Sequence, residues 1–291
     1  MIERPEVPEC LSLRLPDGGS PLPVMVSVPH LGFDAPPDVT ERDYAEGWYT
    51  TFARGYADAY ADQIYHELHR LGAVQLGARI SRLFVDVNRA RDDFDERDGA
   101  VHAKKGVIRT RMINDGEIFA RPVSRERAET WLRAYYDPYY GVLRACLERL
   151  RARFSRVVLL DLHTASSRGL KEREAVVGTS HGRTCGPPLA DSLMACIAGH
   201  GFDVHLNTPG YAGGNLVRTF GRPAETGVHA VQIEFNSQLL MTTSRREYLR
   251  QVSRAEQPAT DRGNLVRIRR CVRDLIEIAA GFADGRSAPP G

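Results

Sequence analysis

The sequence predicts an α/β protein in which a mostly parallel sheet is covered by helices on both faces. Three observations carry this reading. Short Val- and Leu-rich runs bounded by polar or turn residues alternate with longer stretches of helical apolar spacing, the pattern of strand–helix–strand units. Several of those runs end in residues that can do chemistry, at the strand ends where open α/β sheets gather their sites. A chain of 291 residues with 42% hydrophobic and 26% charged residues is ordinary for a globular protein and long enough to bury a sizeable core.

Taken in order, residues 1–22 carry Pro, Glu and Gly with a Pro-Asp-Gly-Gly turn at 16–19, and read as an N-terminal extension. Pro23-Val-Met-Val-Ser-Val-Pro29 predicts a strand that runs into His30-Leu-Gly32, where proline and glycine turn the chain beside the histidine. Residues 34–51 read as a polar loop or short helix. Tyr60, Ile64, Tyr65 and Leu68 form an apolar stripe, so a helix is expected over about 56–71 with Gly72 as its cap. Residues 74–76 and 81–89 read as two strands, the second ending in a polar cluster. The charged, irregular stretch 92–115 reads as a long surface loop.

Ser124 opens a helical region to about Phe154, which Pro138 must end or kink because it has no N–H for the ladder. Val157-Val-Leu-Leu-Asp-Leu162 is a buried strand leading to His163. Residues 175–178, 203–207 and 228–236 are further strands, and 187–200 is a helix. Tyr211-Ala-Gly-Gly214 starts a glycine-bearing loop. Two amphipathic helices follow Ser244, the second over about 264–282. Residues 283–291, small and Pro-bearing, read as a disordered tail. There is no internal repeat, and the whole of 1–291 reads as a single domain.

The net charge of +2 comes from interspersed Arg, Asp and Glu with no long basic block, so composition makes no case for a nucleic-acid partner. Five cysteines, odd in number and widely spaced with no C-x-x-C, argue against a disulfide framework and against a thiolate zinc site. The N-terminus lacks the basic-then-apolar order of a leader. No apolar run approaches the roughly 20 residues that span a bilayer, so no membrane partner is expected. The expectation is a reduced, cytoplasmic protein acting on a small molecule.

Three strand ends carry unusual polar groups: His30, His163 and Glu234. A fourth run ends in Asp86-Val-Asn88-Arg89. Ligands scattered over several strand ends suit a catalytic zinc site, which takes about three protein ligands and keeps one position for water. Such water is a usable nucleophile near neutral pH, and a nearby carboxylate can take its proton and pass it to a leaving amine. Taken singly, His30 or His163 has an equally good structural reading, bonded to a neighbouring loop. His66 and His69 stand at i, i+3, yet a solvated helix face is their simpler home; His102, His181, His200, His205 and His229 read as surface or structural. Glu234 lies between Ile233 and Phe235, where an isolated carboxylate is costly to bury, so it needs a partner or a job.

Seven short pieces, in order, resemble the N-formylglutamate amidohydrolases over residues 23–241. They are Val28-Pro-His30-Leu-Gly, Asp58-Ala-Tyr-Ala-Asp-Gln-Ile-Tyr65, Ser81-Arg-Leu-Phe-Val-Asp-Val-Asn-Arg89, Leu159-Leu-Asp-Leu-His163-Thr, Val177-Gly-Thr, Tyr211-Ala-Gly-Gly and Val231-Gln-Ile-Glu234-Phe-Asn. The resemblance implies the three-layer fold of the zinc carboxypeptidases and succinylglutamate desuccinylases, with a mixed, mainly parallel sheet between helices. It implies zinc as cofactor, His30 and His163 as ligands, and Glu234 as catalytic base. It sets Asn88 and Arg89 on an Asp-x-Asn-Arg motif that grips the substrate α-carboxylate, for which a planar guanidinium is well shaped. A third, carboxylate ligand is implied; position 33, where the carboxypeptidases carry Glu, is Phe. Asp58 matches the family's acidic position, with Asp34 as the alternative. Arg82 is favoured over Arg218 and Arg222 for a second carboxylate or the developing oxyanion.

Leu31 and Thr164 depart from the family's usual small polar residue and serine, which bears on specificity. Gly213-Gly214 gives either a tight turn or a close backbone approach to substrate. The implied activity is zinc-dependent hydrolysis of the N-acyl amide of an N-acyl amino acid: N-formyl-L-glutamate to formate and L-glutamate, as in histidine breakdown. The alternatives are a related metallo-amidohydrolase or carboxypeptidase acting on another N-acyl amino acid or a peptide, and a non-catalytic relative that binds a carboxylate ligand.

Overall fold

The computed structural model describes residues 5–18, 20–46, 52–112 and 115–285. Its strands are β1 (Leu11–Arg14), β2 (Val24–Val28), β3 (Val74–Ala78), β4 (Asp95–Arg97), β5 (Ala100–His102), β6 (Val157–Ala165), β7 (Ala175–Gly178), β8 (Val204–Leu206) and β9 (Val228–Asn236). Helices are α1 (Phe52–Tyr56), α2 (Ala61–Tyr65), α3 (Arg125–Trp131), α4 (Asp137–Arg151), α5 (Ser167–Leu170), α6 (Pro187–Gly199), α7 (Asn215–Phe220), α8 (Pro223–Thr226), α9 (Arg245–Ser253) and α10 (Arg262–Ala283). Seven strands form one sheet in the order β1-β3-β2-β6-β9-β7-β8. The central run β3-β2-β6-β9 is parallel, β1 and β7 join its edges antiparallel, and β8 pairs parallel to β7. The predicted mixed, mainly parallel three-layer α/β architecture is the one observed.

Side-chain alternation explains the layers, because successive residues of a strand face opposite sides. On β6, Val158, Leu160 and Leu162 turn to α2, α6 and α10, while Val157 and Leu159 turn to α3, α4 and α7. On β9, Val231, Ile233 and Phe235 join the first layer and Val228 and Ala230 the second. Helix α10 covers the first face with Ile268, Val272, Leu275, Ile276 and Ala279 at helical spacing. Its N-cap Asp261 accepts from Asn264 N at 2.8 Å. Each fully buried aliphatic side chain of this kind stabilises the fold by about 1.5–3 kcal/mol.

On the α4 side the strands change character toward their C-terminal ends. Val157 and Leu159 give way to Asp161 and His163, and Val228 and Ala230 to Gln232 and Glu234. The parallel register aligns Ser27, Asp161 and Gln232 in one row and His163 with Glu234 in the next. A polar strip therefore crosses three adjacent strands at one end of an otherwise apolar face.

The structure departs from the sequence reading in several places. Residues 81–89 form consecutive turns, not a strand. The Ser81 hydroxyl accepts from Leu83 N and donates to Ala53 O, and Asp86 Oδ1 accepts from Asn88 N, so local side-chain bonds outcompete a ladder. The expected helix over 56–71 is interrupted: Tyr60 takes a left-handed conformation (φ 61°) and only Ala61–Tyr65 and a tight turn at Leu68–Leu71 are helical. Gly72 does cap that turn, with φ 93° and its N–H on His69 O. The expected surface loop contains the hairpin β4–β5, whose two-residue turn Asp98-Gly99 has positive φ at both positions, the geometry that matches strand twist.

Pro138 neither ends nor sharply breaks its helix. The turn before it is widened over Leu132–Tyr136, with Asp137 N reaching Leu132 O, the single-turn bulge that is the usual form of this rare geometry inside α-helices. The carbonyl of Ala134, which a residue with an N–H at 138 would bond, accepts instead from Cys10 Sγ at 3.6 Å. The stretch read as an N-terminal extension supplies the edge strand β1. Of the expected tail, Ala283 ends α10 and residues 286–291 lie outside the described residues. No helix among the described residues is long and apolar enough to cross a membrane.

The loop after His30 is set by a close approach. A Cβ on Gly32 would overlap the carbonyl of Arg79. Gly32→Ala is expected to destabilise the fold by about 2–4 kcal/mol, since backbone must move to admit it. Denaturant unfolding followed by circular dichroism should show a lower midpoint with an unchanged slope.

Candidate active site

His30, two residues past β2, and His163, near the end of β6, meet with ring centroids 4.7 Å apart. Asp58, in the turn between α1 and α2, closes the group. Its Oδ2 lies 3.0 Å from His163 Nδ1 and its Oδ1 3.5 Å from His30 Nδ1. One donor atom from each of the three lies within 4.8 Å of the others. Backbone bonds fix the acid: Asp58 N donates to His30 O at 3.0 Å, and Asp58 Oδ2 accepts from Thr164 N at 3.1 Å. Tyr65 OH on α2 bonds His163 O at 2.9 Å, tying the same segment to β6. Asp34, the alternative acid, stands apart and pairs with Arg79 at 3.5 Å.

Behind each imidazole is a second, fully buried carboxylate. Asp86 Oδ1 accepts from His30 Nε2 at 2.8 Å, and Asp161 Oδ2 from His163 Nε2 at 3.0 Å. Carboxylates on the outer nitrogens fix the ring orientation and turn both Nδ1 atoms inward, the arrangement that supports metal-bound histidines. Two imidazole nitrogens and one carboxylate oxygen, with second-sphere acids, fit a zinc ion of the catalytic type.

Arg82 grips Asp86 through Nε (3.2 Å) and NH2 (2.8 Å), and its NH1 approaches His30 Nδ1 at 2.9 Å and Asp58 Oδ1 at 3.4 Å. Arg109 NH2 adds a contact to Asp86 at 3.5 Å. Burial works against ionised Asp86, yet Arg82, His30 and Arg109 outweigh it and hold the carboxyl well below its usual range. The same balance, set by His30 and His163, holds Asp58 low. Burial would lower His163, but Asp161 and Glu234 hold it well above the ordinary imidazole value.

Glu234 sits beside His163 in register and is buried in the strand end. Gln232 Nε2 donates to Glu234 Oε1 at 2.6 Å, and Gln232 Oε1 accepts from Gly214 N. Burial pushes Glu234 up to about 7, with His163 opposing and Asp58 reinforcing the rise. A carboxyl poised near neutrality can both accept and return a proton.

Both ends of the Asn88 amide are engaged within the protein: Nδ2 donates to Asp161 Oδ2 at 3.1 Å and Oδ1 accepts from Leu216 N at 3.0 Å. Gly214 packs directly on that amide, so a Cβ there would overlap it. The close approach expected of the paired glycines is thus made to Asn88; Gly213, at φ 129°, makes the turn. Arg89 is partly exposed, 3.7 Å from Asp93.

These groups line one cleft of about 1200 Å³. Besides Arg82, its wall carries Arg89, Lys105, Arg109, Arg218 and Arg245, against Asp58, Asp86 and Glu234. Arg109 is buried against the Tyr56 ring, 5.1 Å from its centroid, with its Nε unpartnered. Burial and the neighbouring Arg82 lower its proton affinity, Asp86 opposing and Arg89 adding to the effect. Such crowding of cations favours an anionic occupant. Arg222 is absent from the wall and pairs with Glu225 at 3.4 Å.

Asp161, Gln232 and Arg109 escaped the sequence reading. For the first two a signal existed: each stands two residues before a strand-end group, hence on its face. Arg109 follows buried Val107-Ile108 inside a stretch dominated by charge, and nothing local marks it.

The fold and the site together define a hydrolase built on a mixed α/β sheet, with a metal-type donor group at the strand ends. The N-formylglutamate amidohydrolase family model matches residues 22–241, and the chain belongs to that family. It is 30% identical over 223 residues to an N-formylglutamate deformylase of Pseudomonas putida, covering 73% of this chain and 79% of that protein. It is 31% identical over 228 residues to the deformylase of Pseudomonas aeruginosa, covering 73% and 80%. The crystal structure of N-formylglutamate amidohydrolase from Ralstonia eutropha superposes with a TM-score of 0.75 at 25% identity, over 94% of this chain and 97% of that one. A gene product of Agrobacterium tumefaciens shares the fold at a TM-score of 0.66 and 17% identity, over 94% of each chain.

Two outcomes test the electrostatics. Asp161→Asn should weaken zinc binding about 10–100-fold while the chain stays folded, read by competition with a chromophoric chelator. In the metal-free protein Glu234 should hold its proton below, and lose it above, a pH of about 7. An infrared band of a protonated carboxyl that vanishes over that range, and is missing in Glu234→Gln, would report it.

Proposed function

We propose that this chain is a zinc-dependent amidohydrolase that cleaves N-formyl-L-glutamate to formate and L-glutamate. One observation carries the reading: His30, Asp58 and His163 converge beside Glu234 in a cleft whose wall is rich in cations. His30, Asp58 and His163 would hold the ion. Bound there, zinc would polarise the formyl carbonyl and acidify water.

Glu234 takes the proton of the attacking water and afterwards gives it to the departing amine nitrogen. Gln232 aims the carboxylate during both transfers. The products balance the hydrolysis: the hydroxyl stays with the formyl carbon and the proton goes to glutamate. Arg89 receives the substrate α-carboxylate, and Arg109, which lines the cleft, helped by Arg218, receives the side-chain carboxylate. A dianion relieves the mutual repulsion of these guanidiniums, and two anchored carboxylates fix the amide relative to Glu234. Asn88 serves as a positioning residue, holding Asp161 and the turn that bears Gly214. Arg82, with all three guanidinium nitrogens engaged, positions His30, Asp58 and Asp86. The five free cysteines accord with a reducing, cytoplasmic setting.

A larger acyl group is the second reading, favoured by a cleft of about 1200 Å³, roomy for so small a dianion. Rates on formyl-, acetyl- and succinyl-glutamate separate the two, and formyl-glutamate should lead. Exhaustive chelation should abolish turnover and zinc restore it; full activity in a metal-free sample would overturn the mechanism. Glu234→Gln should lower kcat by about 10²–10⁴-fold with zinc content unchanged. Arg109→Ala should raise KM for formyl-glutamate far more than for an analogue lacking the side-chain carboxylate.

A further inference from the structure

On the opposite face of the sheet, away from the cleft, α6 packs against α10. Cys196 and His200 lie one turn apart on and just after α6; Cys271 and Asp274 lie one turn apart on α10. This spacing turns each pair to one side of its helix. A sulfur from each cysteine and a ring nitrogen of His200 lie within 4.8 Å of one another, and none of the three residues lines the cleft. The two sulfurs face each other across the α6–α10 contact, within 4.8 Å. Asp274 Oδ2 bonds His200 Nε2 at 2.7 Å, so, with Nε2 held by the carboxylate, Nδ1 would be the nitrogen offered to an ion, as in carboxylate-buttressed imidazoles at metal sites.

The dimensions suit an ion. Zinc–sulfur bonds of about 2.3 Å set two tetrahedral thiolates roughly 3.8 Å apart, so small side-chain rotations would close the group. Access exists on one side: Cys271 is fully buried, Cys196 partly, and the His200 side chain is 22% exposed with Asp274 at 46%. Thiolate and imidazole donors select zinc-class ions over magnesium or calcium. The sequence argued against a thiolate site because no C-x-x-C occurs. That argument covers one segment at a time, and here two helices each supply part of the set.

We propose that Cys196, His200 and Cys271 form a second metal site for a zinc-class ion, with Asp274 fixing the imidazole, which staples α6 to α10. The test titrates cobalt(II) into the full chain, reduced and stripped of metal. Thiolate ligation gives a near-ultraviolet sulfur-to-cobalt charge-transfer band, which the His30–Asp58–His163 group cannot give. The band should saturate at one equivalent in His163→Ala, where the cleft site is broken, and vanish in Cys196→Ser. His200→Ala should weaken it at least ten-fold. Zinc should raise the Tm of His163→Ala but not of the double variant with Cys196→Ser. Absence of the band in the reduced parent chain overturns the proposal, as does its survival in Cys196→Ser. A Cys196–Cys271 disulfide found by mass spectrometry in the metal-treated sample also overturns it, the pair then being redox-active. Should a variant fail to fold, the spectrum of the parent chain decides alone.

Discussion

The bonds from Asp86 to His30 and from Asp161 to His163 are the constraint on which this molecule depends. Both carboxylates are wholly buried, and each meets an imidazole at hydrogen-bond distance. Removing one partner of such a buried pair leaves an uncompensated charge, at a cost of about 3–5 kcal/mol. The surrounding structure therefore converges on them. Arg82 and Arg109 neutralise Asp86; Ser27 Oγ and Asn88 Nδ2 satisfy Asp161 at 2.9 and 3.1 Å. These partners come from four stretches far apart in the chain, around residues 27–30, 82–88, 109 and 161–163, so the folded sheet and the ordered site are the same event.

That arrangement also separates roles among residues of one chemical type. Asp58 faces the inner nitrogens, Asp86 and Asp161 the outer ones, and Glu234 neither. Partners hold Asp58 and Asp86 ionised, while Glu234, lacking a cation of its own, is pushed toward neutrality. Environment, not residue type, divides ligand from buttress and buttress from base. The cations divide likewise. Arg82 is spent on the protein's own acids, whereas Arg109, in the cleft wall, makes only one long contact to them, to Asp86 at 3.5 Å.

The sheet explains why so few elements suffice. Its α4-facing side is apolar at one end and polar at the other, and the change occurs in register on β2, β6 and β9. Helices α6 and α10 seal the reverse face with aliphatic side chains. Where that seal contains Cys196 and Cys271 in place of aliphatics, it brings soft ligands together far from the cleft.

Much of this was legible in the chain. Val-rich runs ending in polar groups marked β2, β6 and β9, because period-two burial writes itself into a strand. His30, His163 and Glu234 stood out because a polar residue is conspicuous beside buried aliphatics. Residues 81–89 misled for the same reason: a nearly continuous apolar run reads as a strand, yet Ser81 and Asp86 bond their own backbone and coil it. Asp58 could not be separated from Asp34 by spacing, since the bonds that hold it beside the histidines run to His30 O and Thr164 N, in segments far off in the chain. The sequence by itself determined the layers, the strand ends and the kinds of side chain placed there, all of which follow from local periodicity. Only the tertiary structure decided which carboxylate meets which nitrogen, and that Arg109, Asp161 and Gln232 belong beside them, because those distances depend on register between strands and on loops that carry no period.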